Sequence, residues 1–220
     1  MISVILVAAG SGRRMGFDKV SASLLGKPVY QHSLETFLSH EDVSEVIVLT
    51  RSEKLAERQE ELEHYQECRA LVGGPERAHS VLIGLESAQP QNEWVAVHDA
   101  ARPLLRIESL ELAWKAAKKH GAASLASPVT DTLKQADEHG HLGVTIPREH
   151  LWAMQTPQIA RRQELLTAYR EALKRGDLPT DESSALLVLG IRTKAVAHAH
   201  PNWKLTYPHD LKLAEAWLGL

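Results

Sequence analysis

Cationic residues beside a glycine-rich stretch are the part of this 220-residue chain that points most directly to chemistry. The stretch reads Val7-Ala8-Ala9-Gly10-Ser11-Gly12-Arg13-Arg14-Met15-Gly16 and is followed by Lys19. Glycine lets the backbone approach an anion closely and direct several N–H groups at it. Arg13, Arg14 and Lys19 add positive charge, and a guanidinium group can bind phosphate oxygens bidentately. These residues indicate a polyphosphate site, and they fit a tight turn with a solvated basic face about as well.

The spacing of the glycines excludes two familiar phosphate motifs. Met15 stands where the dinucleotide fingerprint G-x-G-x-x-G has its third glycine, and the spacing of a Walker P-loop is not present either. The apolar, β-branched residues 2–7 precede the glycines and predict a buried strand. The glycine-rich stretch is therefore expected at the carboxyl end of that strand.

Bulk composition excludes several classes of protein. The net charge of −3 gives no sign of a surface for nucleic acid or a membrane, so we expect neither as a partner. Cys68 is the single cysteine, which excludes an intramolecular disulfide. No run of the sequence approaches the roughly 20 apolar residues of a membrane span, and the N-terminus enters a strand without a signal-peptide pattern. We therefore expect a cytoplasmic protein.

Strand and helix patterns alternate along the chain. Strands are expected at residues 3–8, 43–50, 69–72, 94–97, 122–128 and 191–197. Helices are expected at residues 29–38, 52–64, 76–88, 107–120, 162–175 and 208–218, with one more helix capped by Thr180-Asp181-Glu182-Ser183 and ended by Gly190. This alternation predicts an α/β fold with a mostly parallel sheet and helices on both faces. Ligands of such sheets bind beyond the carboxyl ends of the strands, where the glycine-rich stretch, Gly73-Gly74 and His98-Asp99 all lie.

Residues 129–158 interrupt the alternation. The short segments 132–136 and 142–146 flank the turn-rich residues 137–140, a pattern typical of a β-hairpin. A hairpin has little core of its own, so it is expected to lie on another surface, for which a second subunit is a good candidate. We therefore predict a single domain, residues 1–220, with a hairpin arm at about residues 129–158, and a homodimer formed through that arm.

Several motifs occur in one order along the chain. They are Ala8-Ala9-Gly10-Ser11-Gly12-Arg13-Arg14-Met15 with Lys19, Gly73-Gly74-Pro75-Glu76-Arg77 with Ser80-Val81 and Gly84-Leu85, Val97-His98-Asp99-Ala100-Ala101-Arg102-Pro103, Pro128-Val129-Thr130-Asp131-Thr132-Leu133-Lys134, Arg148 with Leu151-Trp152 and Thr156-Pro157-Gln158, Thr180-Asp181-Glu182, and Lys204-Leu205-Thr206 with Pro208 and Asp210-Leu211. Together they resemble the 2-C-methyl-D-erythritol 4-phosphate cytidylyltransferase family over residues 4–216. Many nucleotidyltransferases share the first motif, whereas residues 97–103 and Thr156-Pro157-Gln158 are much more specific.

The resemblance implies a fold and a reaction. The fold is the Rossmann-like nucleotidyltransferase fold of GT-A type with an inserted hairpin arm. In the reaction, CTP and methylerythritol 4-phosphate give the CDP-alcohol and pyrophosphate. Two anions must meet, and the attacking phosphate is already ionised near neutral pH, so arginine and lysine suit the chemistry better than a histidine–carboxylate pair. Mg²⁺ is expected with the triphosphate.

The resemblance also implies roles for individual residues. The catalytic residues are Arg14, Lys19, Arg148 and Lys204. The nucleotide-binding residues are Ala8, Ala9, Gly10, Ser11, Gly12, Gly74, Ser80 and Ala100. The residues that bind the second substrate, a polyol phosphate, are Asp99, Arg102, Thr132, Arg148, Thr156 and Lys204. Asp99 is also the nearest carboxylate to a magnesium ion, although phosphate oxygens and water could supply all of its ligands.

Two further residues receive structural roles. Arg77 is expected to brace the Gly73-Gly74 loop. His98 is expected to pack at the end of a strand, because the reaction offers no obvious proton for a general base.

The sequence departs from the family pattern at two places, and two other functions are compatible with its motifs. Val20 and Ser21 follow Lys19, where the family usually has glutamine and then an aromatic residue or leucine, and Pro75 replaces a more usual acidic or small residue. The same motifs leave open a cytidylyltransferase that acts on ribitol 5-phosphate. A non-catalytic nucleotide-binding protein is a further alternative, although such a protein is expected to lack Arg14, Lys19, Arg148 or Lys204.

Overall fold

The computed structural model describes residues 1–10 and 17–219, and its main feature is a seven-stranded sheet. In spatial order the sheet contains β11 (Lys194–Val196), β7 (Ala122–Pro128), β10 (Trp152–Arg161), β6 (Trp94–Asp99), β1 (Ile2–Val7), β4 (Val43–Thr50) and β5 (Cys68–Val72). β10 pairs antiparallel with β6 and β7, whereas the other neighbouring strands are parallel. The predicted mostly parallel sheet is confirmed.

Two short antiparallel pairs lie outside this sheet. β2 (Ser23–Leu24) pairs with β3 (Lys27–Pro28), close to the end of the segment that carries Lys19. β8 (Leu133–Ala136) pairs with β9 (Leu142–Ile146) and forms the predicted hairpin arm.

Helices cover both faces of the sheet, as the alternating pattern predicts. They are α1 (Val29–Leu38), α2 (Leu55–Leu62), α3 (Arg77–Ser87), α4 (Ile107–His120), α5 (Arg162–Lys174), α6 (Glu182–Leu187) and α7 (Pro208–Leu218). Phe37 of α1 and Trp114 of α4 belong to the apolar core on one face. Val81 of α3 and Tyr169 of α5 belong to the core on the other face. The central strands are buried on both sides, which explains why residues 2–7 read as a nearly continuous apolar run.

The boundaries differ most from the prediction at β10 and β11 and at the helices α2 and α6; β11 begins at Lys194 instead of residue 191. The arm was expected to extend to about residue 158, but β10 begins at Trp152, continues to Arg161 and enters the centre of the sheet. Pro157 lacks an N–H and lies where the register between β10 and β7 shifts, so the sequence pattern breaks although the strand does not. Residues 52–54 form a separate 3₁₀ turn before α2, and Ser52 donates to Glu53 instead of capping the helix.

The cap of α6 lies one residue later than predicted. Asp181, not Thr180, is the N-cap residue, and its carboxylate accepts a hydrogen bond from the Ser184 N–H at 2.8 Å. The predicted stops are confirmed at Gly121 and Gly190, whose positive φ angles of 87° and 73° suit glycine. Among the described residues, no helix is long and apolar enough to cross a membrane.

Gly84 of α3 provides a test of how closely this helix packs on the sheet. A Cβ at this position would lie 2.7 Å from the Ile5 Cγ2 atom, which is closer than real carbon contacts allow. Gly84→Ala should therefore lower the free energy of unfolding by about 1–3 kcal/mol, even though alanine favours a helix by about 1 kcal/mol over glycine. Urea denaturation measures the change.

The matched control for that substitution is Ser87→Ala, at the end of the same helix. It should change the free energy of unfolding by less than about 0.5 kcal/mol. A Gly84→Ala variant that is as stable as the parent would show that α3 has room to move away from β1.

Candidate active site

A buried carboxylate at the end of β6 gathers cations from three parts of the chain. Asp99 is only 7% exposed. Its Oδ2 atom accepts a hydrogen bond from Lys204 Nζ at 3.0 Å, and its Oδ1 atom accepts one from Arg77 Nε at 3.3 Å. Arg102 Nε lies 3.5 Å from Oδ2. Lys204 precedes α7, Arg77 begins α3 and Arg102 follows β6, so Asp99 joins three segments at one edge of the sheet.

The three cations decide the charge of this carboxylate. Burial alone would raise the pKa of Asp99, but Lys204 and then Arg77 and Arg102 hold that pKa well below its usual range. Asp99 is therefore ionised at neutral pH, and the cations around it are held in place by its charge.

Arg77 connects this cluster to a second buried carboxylate. Its Nη1 and Nη2 atoms donate to the two carboxylate oxygens of Glu182 at 2.8 and 3.2 Å. Glu182 is 1% exposed and also accepts a hydrogen bond from the Tyr169 hydroxyl at 2.8 Å. The expectation that Arg77 braces the Gly73-Gly74 loop is wrong, because its hydrogen bonds go to Asp99 and Glu182. Two buried carboxylates compete more strongly for a guanidinium group than a backbone loop does.

Ser80 braces the loop instead. The Gly74 N–H donates to the Ser80 hydroxyl at 3.0 Å. A Cβ on Gly73 would lie 2.6 Å from the Ala9 Cβ and 2.8 Å from the Ser80 Oγ, so only glycine lets these segments approach so closely. Ala9, which precedes Gly10, and the Gly73-Gly74 loop therefore lie side by side.

Most of the predicted nucleotide-binding residues reach the same edge of the sheet. The Ala8 N–H donates to the Leu49 carbonyl at 2.8 Å, and the Ala100 N–H donates to the Val7 carbonyl at 3.1 Å. Gly10 is exposed, and a Cβ there would meet nothing within 4 Å. Ser11, Gly12 and Arg14 lie outside the described residues.

Lys19 lies near Lys204 in space although the two are far apart in sequence. The Lys19 ammonium donates to the carbonyl oxygen of Leu205 at 2.9 Å. Leu205 is fully buried and directly follows Lys204. The structure therefore brings two of the predicted catalytic lysines to one place.

Thr156 and Asn202 form the frame behind this cluster. Thr156 is 3% exposed, and its hydroxyl accepts a hydrogen bond from the Asp99 N–H at 3.1 Å. The Asn202 side-chain amide donates to the Thr156 carbonyl at 2.7 Å, and the backbone carbonyl of Asn202 accepts a hydrogen bond from Arg102 at 2.8 Å. The predicted contact of Thr156 with substrate stays a prediction. The sequence analysis missed Asn202, for which the only available signal was its position two residues before Lys204.

Comparisons with known proteins agree on one family. A family model described as IspD, 2-C-methyl-D-erythritol 4-phosphate cytidylyltransferase, matches residues 2–219. The protein of that name from Caldanaerobacter subterraneus subsp. tengcongensis is 39% identical over 223 residues, which cover 99% of this chain and 98% of the relative. The protein of the same name from Aromatoleum aromaticum is 41% identical over 222 residues, with 97% and 93% covered.

The chain belongs to the 2-C-methyl-D-erythritol 4-phosphate cytidylyltransferase family. Solved structures agree with this assignment. The 4-diphosphocytidyl-2C-methyl-D-erythritol synthase of Anaerococcus prevotii has a TM-score of 0.88 and 28% identity, and covers 100% of this chain and 96% of its own. The 2-C-methyl-D-erythritol 4-phosphate cytidylyltransferase of Thermus thermophilus has a TM-score of 0.83 and the same identity, with 98% of each chain covered. The Rossmann-like nucleotidyltransferase fold is thus confirmed.

Family membership also decides between the competing functions. The protein is a cytidylyltransferase that uses CTP and 2-C-methyl-D-erythritol 4-phosphate, in the synthesis of isoprenoid precursors. This agrees with the enzymatic function expected from the motifs. Ribitol 5-phosphate and a non-catalytic nucleotide-binding protein were the alternatives, and the comparisons favour neither.

Two predicted site residues of the cytidylyltransferase lie on the arm side of the molecule. Arg148 and Thr132 are both exposed, and the Arg148 guanidinium donates to the Thr130 carbonyl. No hydrogen bond or ion pair of the described residues joins either of them to the Asp99 cluster. Their assignment to the polyol phosphate stays a prediction.

The donor set of the cytidylyltransferase suits a metal ion that arrives with its ligand. Within residues 1–10 and 17–219, no group of three histidine, cysteine, aspartate or glutamate side chains could hold a metal. Asp99 offers one ionised carboxylate, and Mg²⁺ commonly binds through one or two carboxylates together with phosphate oxygens and water. A magnesium ion bound with the triphosphate stays a prediction.

His98 has the structural role expected for it. It is fully buried and its ring packs edge-on to Phe37, with 5.3 Å between ring centroids. Nε2 lies 3.2 Å from the Arg102 carbonyl, which can only accept, so Nε2 carries the proton and Nδ1 accepts from the Thr156 hydroxyl at 3.0 Å. Burial lowers the pKa of His98 to about 4, and the ring is neutral at pH 7.

This shift predicts a loss of stability in mild acid. The unfolded chain takes up the proton near pH 6.5, whereas the folded protein takes it up only near pH 4. The contribution of His98 to the free energy of unfolding is thus fully present above about pH 6.5 and is lost as the pH falls toward 4. The free energy of unfolding decreases by at most about 1.4 kcal/mol per pH unit in this range. Between pH 7 and pH 5 this amounts to about 2 kcal/mol of unfolding free energy, measurable by urea denaturation at both values.

A comparison of variants isolates that contribution. His98→Gln should be less stable at pH 7 but should lose about 2 kcal/mol less than the parent between pH 7 and pH 5. His64→Gln, at an exposed position, should behave like the parent. An acid-induced loss in His98→Gln equal to that of the parent would contradict the assignment.

Proposed function

We propose that the edge of the sheet between Lys19 and the Asp99 cluster is where the two phosphates of the cytidylyl-transfer reaction meet. A phosphate oxygen of methylerythritol 4-phosphate forms a bond to the α-phosphorus of CTP. The bond from that phosphorus to the bridging oxygen of the β-phosphate breaks, and pyrophosphate leaves with the electron pair. The observation that carries this proposal is that Lys19 donates to the carbonyl of Leu205, the residue after Lys204, whose own ammonium binds Asp99.

The charges of this region suit a meeting of anions. Arg77, Arg102 and Lys204 contact Asp99, and Arg77 also contacts Glu182. Lys19 donates to the backbone carbonyl of Leu205. Among the described residues, the Asp99 cluster itself has a surplus of positive charge, because Arg77, Arg102 and Lys204 are three cations against Asp99 and Glu182. This surplus reduces the repulsion between two phosphate groups and stabilises the charge that develops at the α-phosphorus in the transition state.

We assign Lys19 and Arg14 to the α-phosphate, and Lys204 and Arg148 to the phosphate of the second substrate. Lys204 is half-buried, and its ammonium is already directed into the cluster by Asp99. The attacking phosphate is mostly ionised at neutral pH because its second pKa is about 6. No side chain is therefore needed to remove a proton, which agrees with a neutral, buried His98.

The remaining predicted residues fall into two groups. The nucleotide would lie along Ala8, Ala9, Gly10, Ser11, Gly12, Gly74, Ser80 and Ala100, whose described members line the edge at β1, β5 and β6. The polyol phosphate would contact Asp99, Arg102, Thr132 and Thr156. A magnesium ion would be held by triphosphate oxygens with Asp99 as the protein ligand, and when bound it would neutralise charge on the triphosphate. A cytoplasmic location is part of the same proposal.

Steady-state kinetics with both substrates tests these roles. Lys204→Ala should raise the KM for methylerythritol 4-phosphate by about 10-fold or more, because a charge-assisted contact worth about 1.5–3 kcal/mol is lost, while the KM for CTP stays within about twofold. Lys19→Ala should instead lower kcat by at least about 10-fold. Release of pyrophosphate is the measured quantity.

Two controls accompany the kinetic test. Lys212→Ala removes an exposed lysine of α7 and should change neither constant. Ribitol 5-phosphate replaces methylerythritol 4-phosphate in a parallel assay and should support little release. If Lys204→Ala raised the KM values for CTP and for methylerythritol 4-phosphate equally, its assignment to the polyol phosphate would be contradicted. Faster release of pyrophosphate with ribitol 5-phosphate than with methylerythritol 4-phosphate would contradict the proposed second substrate.

We also propose that the arm joins two copies of this chain. Leu142, Val144 and Ile146 alternate along β9 and are 72%, 68% and 40% exposed. Trp152 and Met154 at the start of β10 are 39% and 38% exposed. These side chains form an apolar surface on a hairpin that has little core of its own, and burying it against a second copy would stabilise the arm.

The two faces of β9 allow a matched test of this dimer. Val144→Lys places a charge on the apolar face and should convert a dimer to a monomer in light scattering at micromolar concentration. Thr145→Glu places a charge on the opposite face of the same strand, where Lys134 is the cross-strand partner, and should leave the dimer intact. A parent protein that is monomeric, or two variants that dissociate equally, would contradict this use of the arm.

A further inference from the structure

The turn that carries Lys19 is closed by an aspartate on one side and a serine on the other. Asp18 Oδ1 accepts a hydrogen bond from the Val20 N–H at 3.3 Å, and Asp18 Oδ2 accepts one from the Ser21 hydroxyl at 3.0 Å. Val20 and Ser21 are the residues at which the chain departs from the family pattern. The two residues that differ from the family pattern therefore both form hydrogen bonds with Asp18, on either side of Lys19.

Two arginines from another part of the chain tie this turn to the scaffold. Arg51, which directly follows β4, donates to Asp18 Oδ2 at 3.0 Å. Arg58, from α2, donates to the Ser21 hydroxyl at 2.8 Å. Each side of the turn thus has one guanidinium group bound to it.

Arg58 is an unusual anchor because its side chain is completely buried. Its guanidinium carbon lies 3.9 Å from the centre of the Tyr30 ring, and Nη1 donates to the Glu61 carboxylate. The Tyr30 hydroxyl donates to the same carboxylate at 2.9 Å. A buried guanidinium costs free energy unless it is paired, and these contacts hold the group in one orientation. Ser21 is therefore bound by a rigid donor rather than by a mobile surface side chain.

The backbone of the turn is held at the same time. Val20 is 5% exposed, and its carbonyl accepts a hydrogen bond from the Tyr30 N–H at 3.2 Å. The Ala22 carbonyl accepts one from the Val29 N–H at 3.0 Å. Tyr30 thus contacts both the backbone beside Lys19 and the buried Arg58. The Lys19 side chain leaves this fixed turn and reaches the Leu205 carbonyl beside Lys204.

We propose that Arg58, acting through the Ser21 hydroxyl and the Asp18 carboxylate, is a positioning residue that fixes where the Lys19 ammonium meets the α-phosphate. This inference rests on the proposed catalytic role of Lys19. A displacement of about 1 Å at a reacting centre can reduce a rate by about 100-fold, so a lysine with a long flexible side chain gains from a rigid base. Arg58 touches neither reacting group, and its effect on the reaction passes entirely through Lys19.

A double-mutant cycle tests this dependence. Ser21→Ala removes the hydroxyl that joins Arg58 to Asp18 and should lower kcat by about 3- to 10-fold, with the KM for CTP within about twofold. In a Lys19→Ala background the same substitution should lower kcat by less than about twofold, because there is no ammonium left to position. Arg58→Met should show the same pattern, and thermal unfolding of each variant identifies any loss of fold.

Conservative and neighbouring substitutions serve as controls. Ser21→Thr keeps the hydroxyl and should retain the parent kcat, and Ser23→Ala, at an exposed serine two residues later, should do the same. If the losses of Ser21→Ala and Lys19→Ala multiply, Arg58 and Ser21 act independently of Lys19 and the inference is wrong while the proposed function stands. If Lys19→Ala leaves kcat unchanged, the catalytic role of Lys19 fails, and the inference fails with it.

Discussion

The ionised carboxylate of Asp99 is the interaction on which the rest of this site depends. Removing a carboxylate from water is costly unless cations and hydrogen-bond donors replace the water. Lys204, Arg77 and Arg102 supply the positive charge. The hydroxyl of Thr156 accepts a hydrogen bond from the backbone N–H of Asp99. Because those cations come from separate segments, the need to compensate one buried charge brings together the groups that a phosphate substrate requires.

The same compensation extends from Asp99 to the helices α3, α5 and α6. Arg77 donates hydrogen bonds to both Asp99 and Glu182, and the Tyr169 hydroxyl donates a further one to Glu182. Gln158 donates to Asp181 at 3.2 Å and accepts from the Ser183 N–H at 2.9 Å, which fixes the start of α6 beside β10. Several residues of the specific motifs therefore build the frame of the site. A frame of this kind keeps the cations in place for reaction partners that repel each other.

The two lysines are positioned by different means. Lys204 is directed by a carboxylate within the cluster, whereas the turn of Lys19 is held by Arg51 and Arg58 from β4 and α2. The arm contributes neither of these contacts, and its exposed apolar face has a separate purpose, which we assign to dimer formation.

The local pattern of the sequence was enough to predict the alternation of strands and helices, the two covered faces, the hairpin and the stops at Gly121 and Gly190. Those features follow from periodicity and from the backbone freedom of glycine, which act over a few residues. The ordered motifs were likewise enough to predict the family.

Only the tertiary structure revealed that β10 is antiparallel to both of its neighbours and that Arg77 binds Asp99 and Glu182. It also revealed that Asn202 binds Thr156 and that Arg58 binds Ser21. The physical reason is the range of the interactions. Arg77 and Glu182 are 105 positions apart, and Lys19 and Leu205 are 186 apart. A buried charge selects its partner by proximity after folding, and no spacing of residues along the chain records that choice.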